Sequence, residues 1–578
     1  MTEDVIKERS EKVKDWLKDR YNLLFALLII FTIAIRFYYF SLTANQPTWW
    51  DEGDYLSLAK EFALPSIDVP EWWIHFTNMR PLLMSFVWAV FIRFDISEAI
   101  MRLLTEIVPS ILLVIYTYLF ASSMFNKKIG LVAGFMTSVY WGIQFYGLRF
   151  LTDIPAMLFA VICVYYFWEY YVKREKAYGL YLCIFLGVLG FLTRFPTALV
   201  TFSVLLYLLI VKRYRFFTDK KIWIAGFIGI LTLAPYFIFN KVYYGKWFPA
   251  AAFYGSENIT TYKSPAWWLI KSIPEFLGWP LTLFILIGIA YSIFKMVIGA
   301  DIFWKQRNTS LNPHYLIFIW IVLHVYYFVF SIKTGNDRWI LIWMPPLFIY
   351  AGIGLEKVGN LLKPFTKYSG AILILVILLW TGFFAQDSQM KHSDQLIKIK
   401  LDSYKEVKDT GLWLKDNTPE NSKILGASVV QHSYYSHRRT YDFGLGNEVQ
   451  VQKLNTIRDP QGRLIDITYE SITNETEFEC KLIRIKPDYL VLHPFEPGFT
   501  PKFILNETSS YPDRHRDIFT PLVSFQRGGQ TTAVIYKFTG YPEINDSLVN
   551  CAQVYRRPEP FSNLTLDIRD PYRYAIPK

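Results

Sequence analysis

A series of apolar runs through the first two-thirds of the chain leaves few folds open. They lie near 23–40, 103–125, 130–147, 154–171, 179–193, 197–211, 222–239, 280–299, 315–332, 340–356 and 369–385. A hydrocarbon layer holds no water to satisfy backbone N–H and C=O groups, so runs of this length cross it as helices. Several fall short of the ~20 residues of a perpendicular span, which puts the number of transmembrane helices at about eleven. Composition agrees: 53% of the 578 residues are hydrophobic and only 19% charged, with mean hydropathy +0.22. The expected fold class is a polytopic α-helical membrane protein with a C-terminal extracytoplasmic α/β domain.

The formal charge of +11 does not point to nucleic acid. Residues 386–578 hold 25 Lys/Arg and 25 Asp/Glu, so the whole excess lies in the membrane half. There it sets orientation. With the N-terminus inside, the inner loops carry Lys127-Lys128, Lys173-Arg174 with Lys176, Lys212 to Lys221, Lys305 with Arg307, and Lys357 to Lys367. Every dense cluster falls on one side, as the positive-inside rule requires. An odd number of spans then puts the tail outside. Pro81–Arg93 is apolar but too short to cross, and a crossing there would invert the later loops; it is placed as an interfacial helix.

The expected organisation is a cytoplasmic N-terminus (1–21), a transmembrane domain (22–385) and an extracytoplasmic α/β domain (386–578) in a multi-pass plasma-membrane protein. The first outer loop, 41–102, holds interfacial helices, and another outer loop covers 240–279. The charged first twenty residues carry no cleavage signal, so Leu23–Phe40 reads as a retained anchor. In the tail, Tyr404, Val407, Gly411 and Leu414 have helical spacing, while Ile424–Val430, Tyr489–Leu492 and Thr532–Phe538 read as strands. Cys480 and Cys551 are a candidate disulfide there, and Cys163 and Cys183 are apolar-segment cysteines. Sequons occur at Asn258, Asn308, Asn474, Asn506, Asn545 and Asn563, all but Asn308 on the expected outer side.

This topology collects charge at the outer ends of the spans. Trp49-Trp50-Asp51-Glu52-Gly53-Asp54 follows the first span, and Arg80 lies in the same loop. Arg149 and Asp153 follow the third, Arg194 ends the fifth, Lys241 to Tyr244 follow the seventh, and Lys333 and Arg338 follow the ninth. Taken singly, each has a plain explanation: an arginine snorkelling at the interface, Asp153 capping a helix before Pro155, aromatics forming a belt. His432 and His437 with Arg438-Arg439 read as a solvated face of the tail. Together, the carboxylates can accept a proton from a hydroxyl, and the arginines can hold a leaving phosphate. A membrane-surface site of this kind suits a phosphate carried on a polyprenyl tail.

The same residues carry a family resemblance. Asp51-Glu52 after the first span, Arg80-Pro81-Leu82, Arg149 with Asp153, Gly190 to Arg194, Asn240 to Gly245, and Arg338-Trp339 before Pro345-Pro346 run in the order of the GT-C glycosyltransferases. The branch it resembles is that of protein O-mannosyltransferases, aminoarabinose transferases and their bacterial and archaeal relatives. The resemblance covers about residues 20–360 and implies inverting transfer of a hexose or pentose from a polyprenyl- or dolichyl-phosphate donor to a hydroxyl acceptor. Asp51 would be the general base, Glu52 would orient Asp51 or the acceptor, and Asp153 would be a second acidic element. Arg80 would hold the donor phosphate, assisted by Arg149, Arg194 or Arg338. Asp54, Tyr244 and Lys333 are further candidate substrate contacts. No cofactor is required; a divalent cation, if one is used, would sit by Asp51, Glu52 and Asp153. Aminoarabinose transferases carry an acidic residue before the phosphate-binding cation where this chain has Asn78-Met79, which leaves the sugar contacts open. The six sequons and outer tail fit an archaeal source acting in surface glycosylation.

Three other readings have discriminating features. An oligosaccharyltransferase would carry its Trp-Trp-Asp motif in the soluble tail, and this tail has no tryptophan after Trp413. A transporter would place ionisable residues at mid-membrane and show inverted repeats. A surface receptor would explain the tail and leave the aligned charges unexplained.

Overall fold

The computed structural model describes residues 11, 14–64, 80–244, 247–248, 267–305, 313–332, 337–443, 454–458, 464–469, 474–493, 500–501, 503–505 and 510–540. Lys333, Asn78-Met79, Cys551 and the asparagines at 258, 308, 506, 545 and 563 lie outside them, as does the side chain of Tyr244. Among the described residues, contacts divide the chain into two compact units. One comprises 1–45, 98–234 and 265–401; the other comprises 46–97, 235–264 and 402–578. The second unit thus takes in much of the first expected outer loop together with the tail.

The first apolar run becomes α1 (Arg20–Thr43), 24 residues or about 36 Å of helix. Two shorter helices follow: α2 (Trp50–Ala63) and the apolar α3 (Leu83–Arg93), whose 11 residues reach only about 16 Å. Next come α4 (Glu98–Met124), α5 (Lys127–Val139), α6 (Trp141–Tyr146), α7 (Asp153–Lys173) and α8 (Ala177–Thr193). The helical part continues with α9 (Phe195–Phe216), α10 (Lys220–Tyr244), α11 (Trp279–Lys305), α12 (Pro313–Ile332), α13 (Asp337–Leu361) and α14 (369–384). Nine helices among the described residues are long and apolar enough to cross a membrane. The short α8 and the pair α5–α6 account for the other two expected runs.

Two expectations change. The run at 130–147 breaks at Tyr140, which adopts an extended conformation (ψ 123°). The break is stabilised by side chains: Gln144 Nε2 donates to Val139 O at 2.8 Å, and Gln389 Oε1 accepts from Trp141 N at 3.3 Å. The loop expected from 240 begins later, because α10 continues to Tyr244 and buries Asn240 in its last turns. The first unit is close-packed where α11 crosses α13. A Cβ on Gly288 would lie 1.9 Å from Tyr350 O, and one on Gly354 would lie 2.0 Å from Phe284 O. Small residues allow such backbone approach in helical membrane proteins.

After α15 (Gln389–Lys400) and α16 (Lys405–Asn417), the chain forms β1 (Lys423–Gly426), α17 (Val429–Ser436) and β2 (Arg439–Tyr441). A separate antiparallel pair, β3 (Leu454–Arg458) and β4 (Leu464–Tyr469), precedes α18 (Glu475–Ile485) and β5 (Tyr489–Leu492). The hairpin β6 (Phe519–Arg527) and β7 (Gln530–Phe538) ends the described fold, turning at Gly528-Gly529 with both φ positive. The main sheet has the order β2-β1-β5-β7-β6, parallel through its first three strands and antiparallel beyond. Its faces alternate as strand geometry demands. Ile424, Tyr489, Val491 and Ile535 join Leu414 of α16, and Leu425, Leu490 and Tyr536 join Phe478 and Leu482 of α18. The strand expected over Ile424–Val430 stops at Gly426, because its second half opens α17.

Candidate active site

The candidate residues fall into two clusters, one in each unit. In the second unit, the chain enters α2 through an extended Trp49, and Glu52 accepts the Trp49 N–H at 2.6 Å. That bond satisfies one of the donors left over at a helix start. It also separates two neighbours that look equivalent in sequence. Glu52 is fully buried, whereas the Asp51 side chain is 36% exposed. Asp54, one turn on, is 1% exposed.

Arg80 joins both aspartates. Its Nη2 lies 3.1 Å from Asp51 Oδ1 and 2.6 Å from Asp54 Oδ2, and its guanidinium sits 4.9 Å from the centre of the Tyr55 ring. Burial favours loss of its proton, but the charges of Asp54 and then Asp51 outweigh this and hold Arg80 well above the ordinary arginine value. Asp51, Asp54 and Arg80 thus form an acid-rich group with one net negative charge.

The first unit builds the opposite arrangement. Asp153 begins α7, Arg194 follows α8, and Arg338 lies in the first turn of α13. Asp153 Oδ2 accepts from Arg194 Nη1 at 3.0 Å and from Arg338 Nη2 at 2.9 Å. The carboxylate side chain is 2% exposed and each guanidinium side chain 15%. One carboxylate against two guanidiniums leaves the trio with one net positive charge. Its arginines are steered by aromatics: Arg194 sits 4.7 Å from the Trp339 ring centre and Arg338 5.7 Å from that of Tyr146. Tyr146 in turn donates to Asp337 at 3.1 Å. All three charged residues line a small cavity of about 10 Å³ together with Trp339, Phe328 and Pro196. Two guanidiniums side by side at such a pocket are suited to hydrogen-bond an anion.

Arg149 lies in the same unit. It is 1% exposed, donates to Lys400 O at 3.1 Å and lies 5.5 Å from the Phe145 ring centre. Tyr244 ends α10, and its side chain lies outside what is described. Among the described residues, no group of three His, Cys, Asp or Glu is arranged to hold a metal ion.

Several residues here were not singled out from sequence. Asp337 precedes Arg338, and its signal was adjacency to a chosen cation. Arg36 lies inside the first apolar run, yet it is 1% exposed and bonds Ser110 Oγ at 2.9 Å. Arg102 is wholly buried and donates to Thr43 O and Ala44 O at the end of α1. A charge inside an apolar run was the available signal for both. Of the two tail histidines expected on a solvated face, His432 is interior and His437 half-buried. His432 and His493 are buried with their Nε2 atoms 2.9 Å apart. Cys480 is disulfide-bonded, and Cys163 and Cys183 are free and buried.

Comparison with known proteins agrees with this architecture. Residues 79–239 match the family described as Dolichyl-phosphate-mannose-protein mannosyltransferase. No curated protein matches the chain. ArnT from Cupriavidus metallidurans in the apo state is similar with TM-score 0.57 and 13% identity, over 92% of this chain and 99% of that one. The same protein bound to undecaprenyl phosphate is similar with TM-score 0.57 and 13% identity, over 88% and 97%. The Archaeoglobus fulgidus oligosaccharyltransferase tethered with an acceptor peptide has TM-score 0.52 and 13% identity, over 91% and 75%. At such identity the likeness speaks for the fold. The chain is a multi-pass membrane protein with the fold of the GT-C glycosyltransferases.

Proposed function

We propose that the chain transfers a sugar from a polyprenyl-phosphate carrier to a hydroxyl acceptor on the extracytoplasmic face of the membrane. The observation that carries this reading is the Arg194–Asp153–Arg338 trio beside its cavity. Its net positive charge suits a phosphate whose own charge grows as the sugar leaves. Arg194 and Arg338 hold that phosphate, and Asp153 keeps both forks in place. The family match at 79–239 and the undecaprenyl phosphate bound by the similar ArnT support the same donor class.

Asp51 is the general base. It is the most exposed carboxylate of its cluster, and Arg80 fixes its direction. In the reaction, Asp51 takes the acceptor hydroxyl proton while the acceptor oxygen bonds the anomeric carbon from the face opposite the phosphate. The anomeric C–O bond breaks, its electron pair goes to the phosphate, and polyprenyl phosphate departs with inversion. Arg80 is assigned to holding Asp51 and Asp54, and this takes the place of direct phosphate binding. Arg149 is assigned to the packing of α15. The N-terminus is cytoplasmic and the tail from 386 extracytoplasmic, on the distribution of basic loops. A metal at Asp51, Glu52 and Asp153 is not favoured: Glu52 is buried and occupied with the start of α2.

The test uses the full chain in nanodiscs with a panel of polyprenyl-phosphate hexoses and pentoses. Wild type should release polyprenyl phosphate, and Asp51→Asn should not. Equal release by both would remove Asp51 from the reaction. Unaltered donor binding in Arg194→Ala/Arg338→Ala would remove the trio from phosphate recognition.

A further inference from the structure

Helix α2, which carries Asp51 and Asp54, is fastened along one side to α17 of the α/β layer. Just before α2, Thr48 N donates to Tyr435 Oη at 2.9 Å, with both residues buried. In the middle, Ser57 Oγ lies 3.5 Å from Val430 O. Near its end, Lys60 Nζ reaches Tyr434 O and, at 2.5 Å, His437 Nε2, and sits 4.1 Å from the Tyr434 ring centre. Burial first, then the charge of Lys60, pushes His437 down to about 3, so it is neutral and accepts.

The closest approach falls between the two aspartates. A Cβ on Gly53 would lie 3.0 Å from Val430 Cγ1 and 3.5 Å from Val430 Cβ. Glycine inside a helix is unfavourable by itself; here it lets α2 meet α17 at the turn that holds Asp51 and Asp54. Helix α17 also packs against α16, where a Cβ on Gly411 would lie 2.6 Å from Tyr435 Cβ. The residue that fixes the entry to α2 is therefore itself wedged in place.

We infer that α17 is a positioning element of the transfer reaction: through Tyr435 and Val430 it sets where the turn carrying Asp51 and Asp54 stands. This rests on the reading of Asp51 as base. Tyr435 acts through Thr48 and Val430 through Gly53, so the role is indirect. A base displaced by a fraction of an ångström loses rate while donor binding, held by other residues, is kept.

The experiment measures kcat, donor KM and thermal unfolding of the full chain in nanodiscs, with whichever polyprenyl-phosphate sugar the wild type turns over. Tyr435→Phe removes one oxygen and is the primary variant. It should lower kcat about tenfold with donor KM changed less than about twofold. Gly53→Ala should do the same, and adding Val430→Ala to it should restore most of the loss, because room returns where the new methyl sits. A purely structural role predicts no such kcat-selective loss and no rescue. Wild-type kcat and KM in Tyr435→Phe, or no rescue in the double variant, overturns the inference while Asp51→Asn remains inactive. Activity in Asp51→Asn overturns the base assignment itself.

Discussion

Asp54 and Arg80 are held at 2.6 Å, with the acid side chain 1% exposed and the arginine 21%. The pair ties α2 to the chain just before α3, and Arg80 reaches Asp51 with the same nitrogen. Removing one partner strands the other in a place that water reaches poorly. Arg80→Ala should destabilise the fold by about 3 kcal/mol. Arg80→Lys should recover less than half of this, because an ammonium cannot reproduce the planar fork. Thermal unfolding of the purified variants checks both.

Arg194→Ala and Arg338→Ala should each weaken donor binding by about ten- to a hundredfold, the loss of one charge-assisted hydrogen bond to phosphate. Asp153→Asn should disturb both arginines at once, so adding Arg194→Ala to it should cost less than the sum of the two. Donor titration by tryptophan fluorescence would measure each constant, since Trp339 lies against Arg194.

Glu52 and Asp51 should behave differently. Glu52→Ala removes the acceptor of the Trp49 N–H and should cost about 1 kcal/mol of stability. Glu52→Gln keeps a side-chain oxygen there and should restore the melting temperature. Asp51→Asn should leave stability near wild type and abolish turnover.

Acid should destabilise the α/β layer through its buried histidines. Burial, partly offset by a hydrogen bond with the Thr532 backbone, pushes His493 down to about 4, and burial with the neighbouring His493 lowers His432 as well. A group depressed in the folded state contributes stability that is complete above its unfolded value, near 6.5. That contribution falls between pH 6.5 and about 4 by about 3 kcal/mol for His493. Unfolding measured from pH 8 to 4 should show this decline, and His493→Gln should flatten it.

The crossing of α11 and α13 offers a stability test remote from the charges. At Gly288 and Gly354 the facing atoms are backbone carbonyls, which no rotamer change can move. Gly288→Ala or Gly354→Ala should lower the yield of folded protein sharply, whereas Gly226→Ala, with nothing within 4 Å, should be silent. Size-exclusion profiles in one detergent would distinguish them.

The helical scaffold was legible because apolar length is a local signal. Each expected run has a helix, and Asp153, Arg194 and Arg338 were singled out because they end such runs. Where a signal depends on distant partners, sequence was mute. The break at Tyr140 relies on Gln389, some 250 positions away, and nothing near residue 140 announces it. Strand β6 is an edge strand with only Phe519 buried, so it carries little apolar periodicity for sequence to show. The segment after Gly426 is apolar in either conformation, which is why a helix there passed for strand. Asp51 and Glu52 are chemically alike and adjacent, and only the start of α2 tells them apart.

The order in which the Asp153 trio is synthesised has a consequence for biogenesis. Arg194 emerges 41 positions after Asp153, but Arg338 comes 185 positions after it. At about 5–20 residues per second, the acid waits roughly ten to forty seconds for its second guanidinium. Throughout that interval the nascent bundle holds an incomplete polar junction at the start of α7. The trio therefore records whether the ninth expected span has arrived, and a chain stalled before it would expose a defect that membrane quality control could recognise.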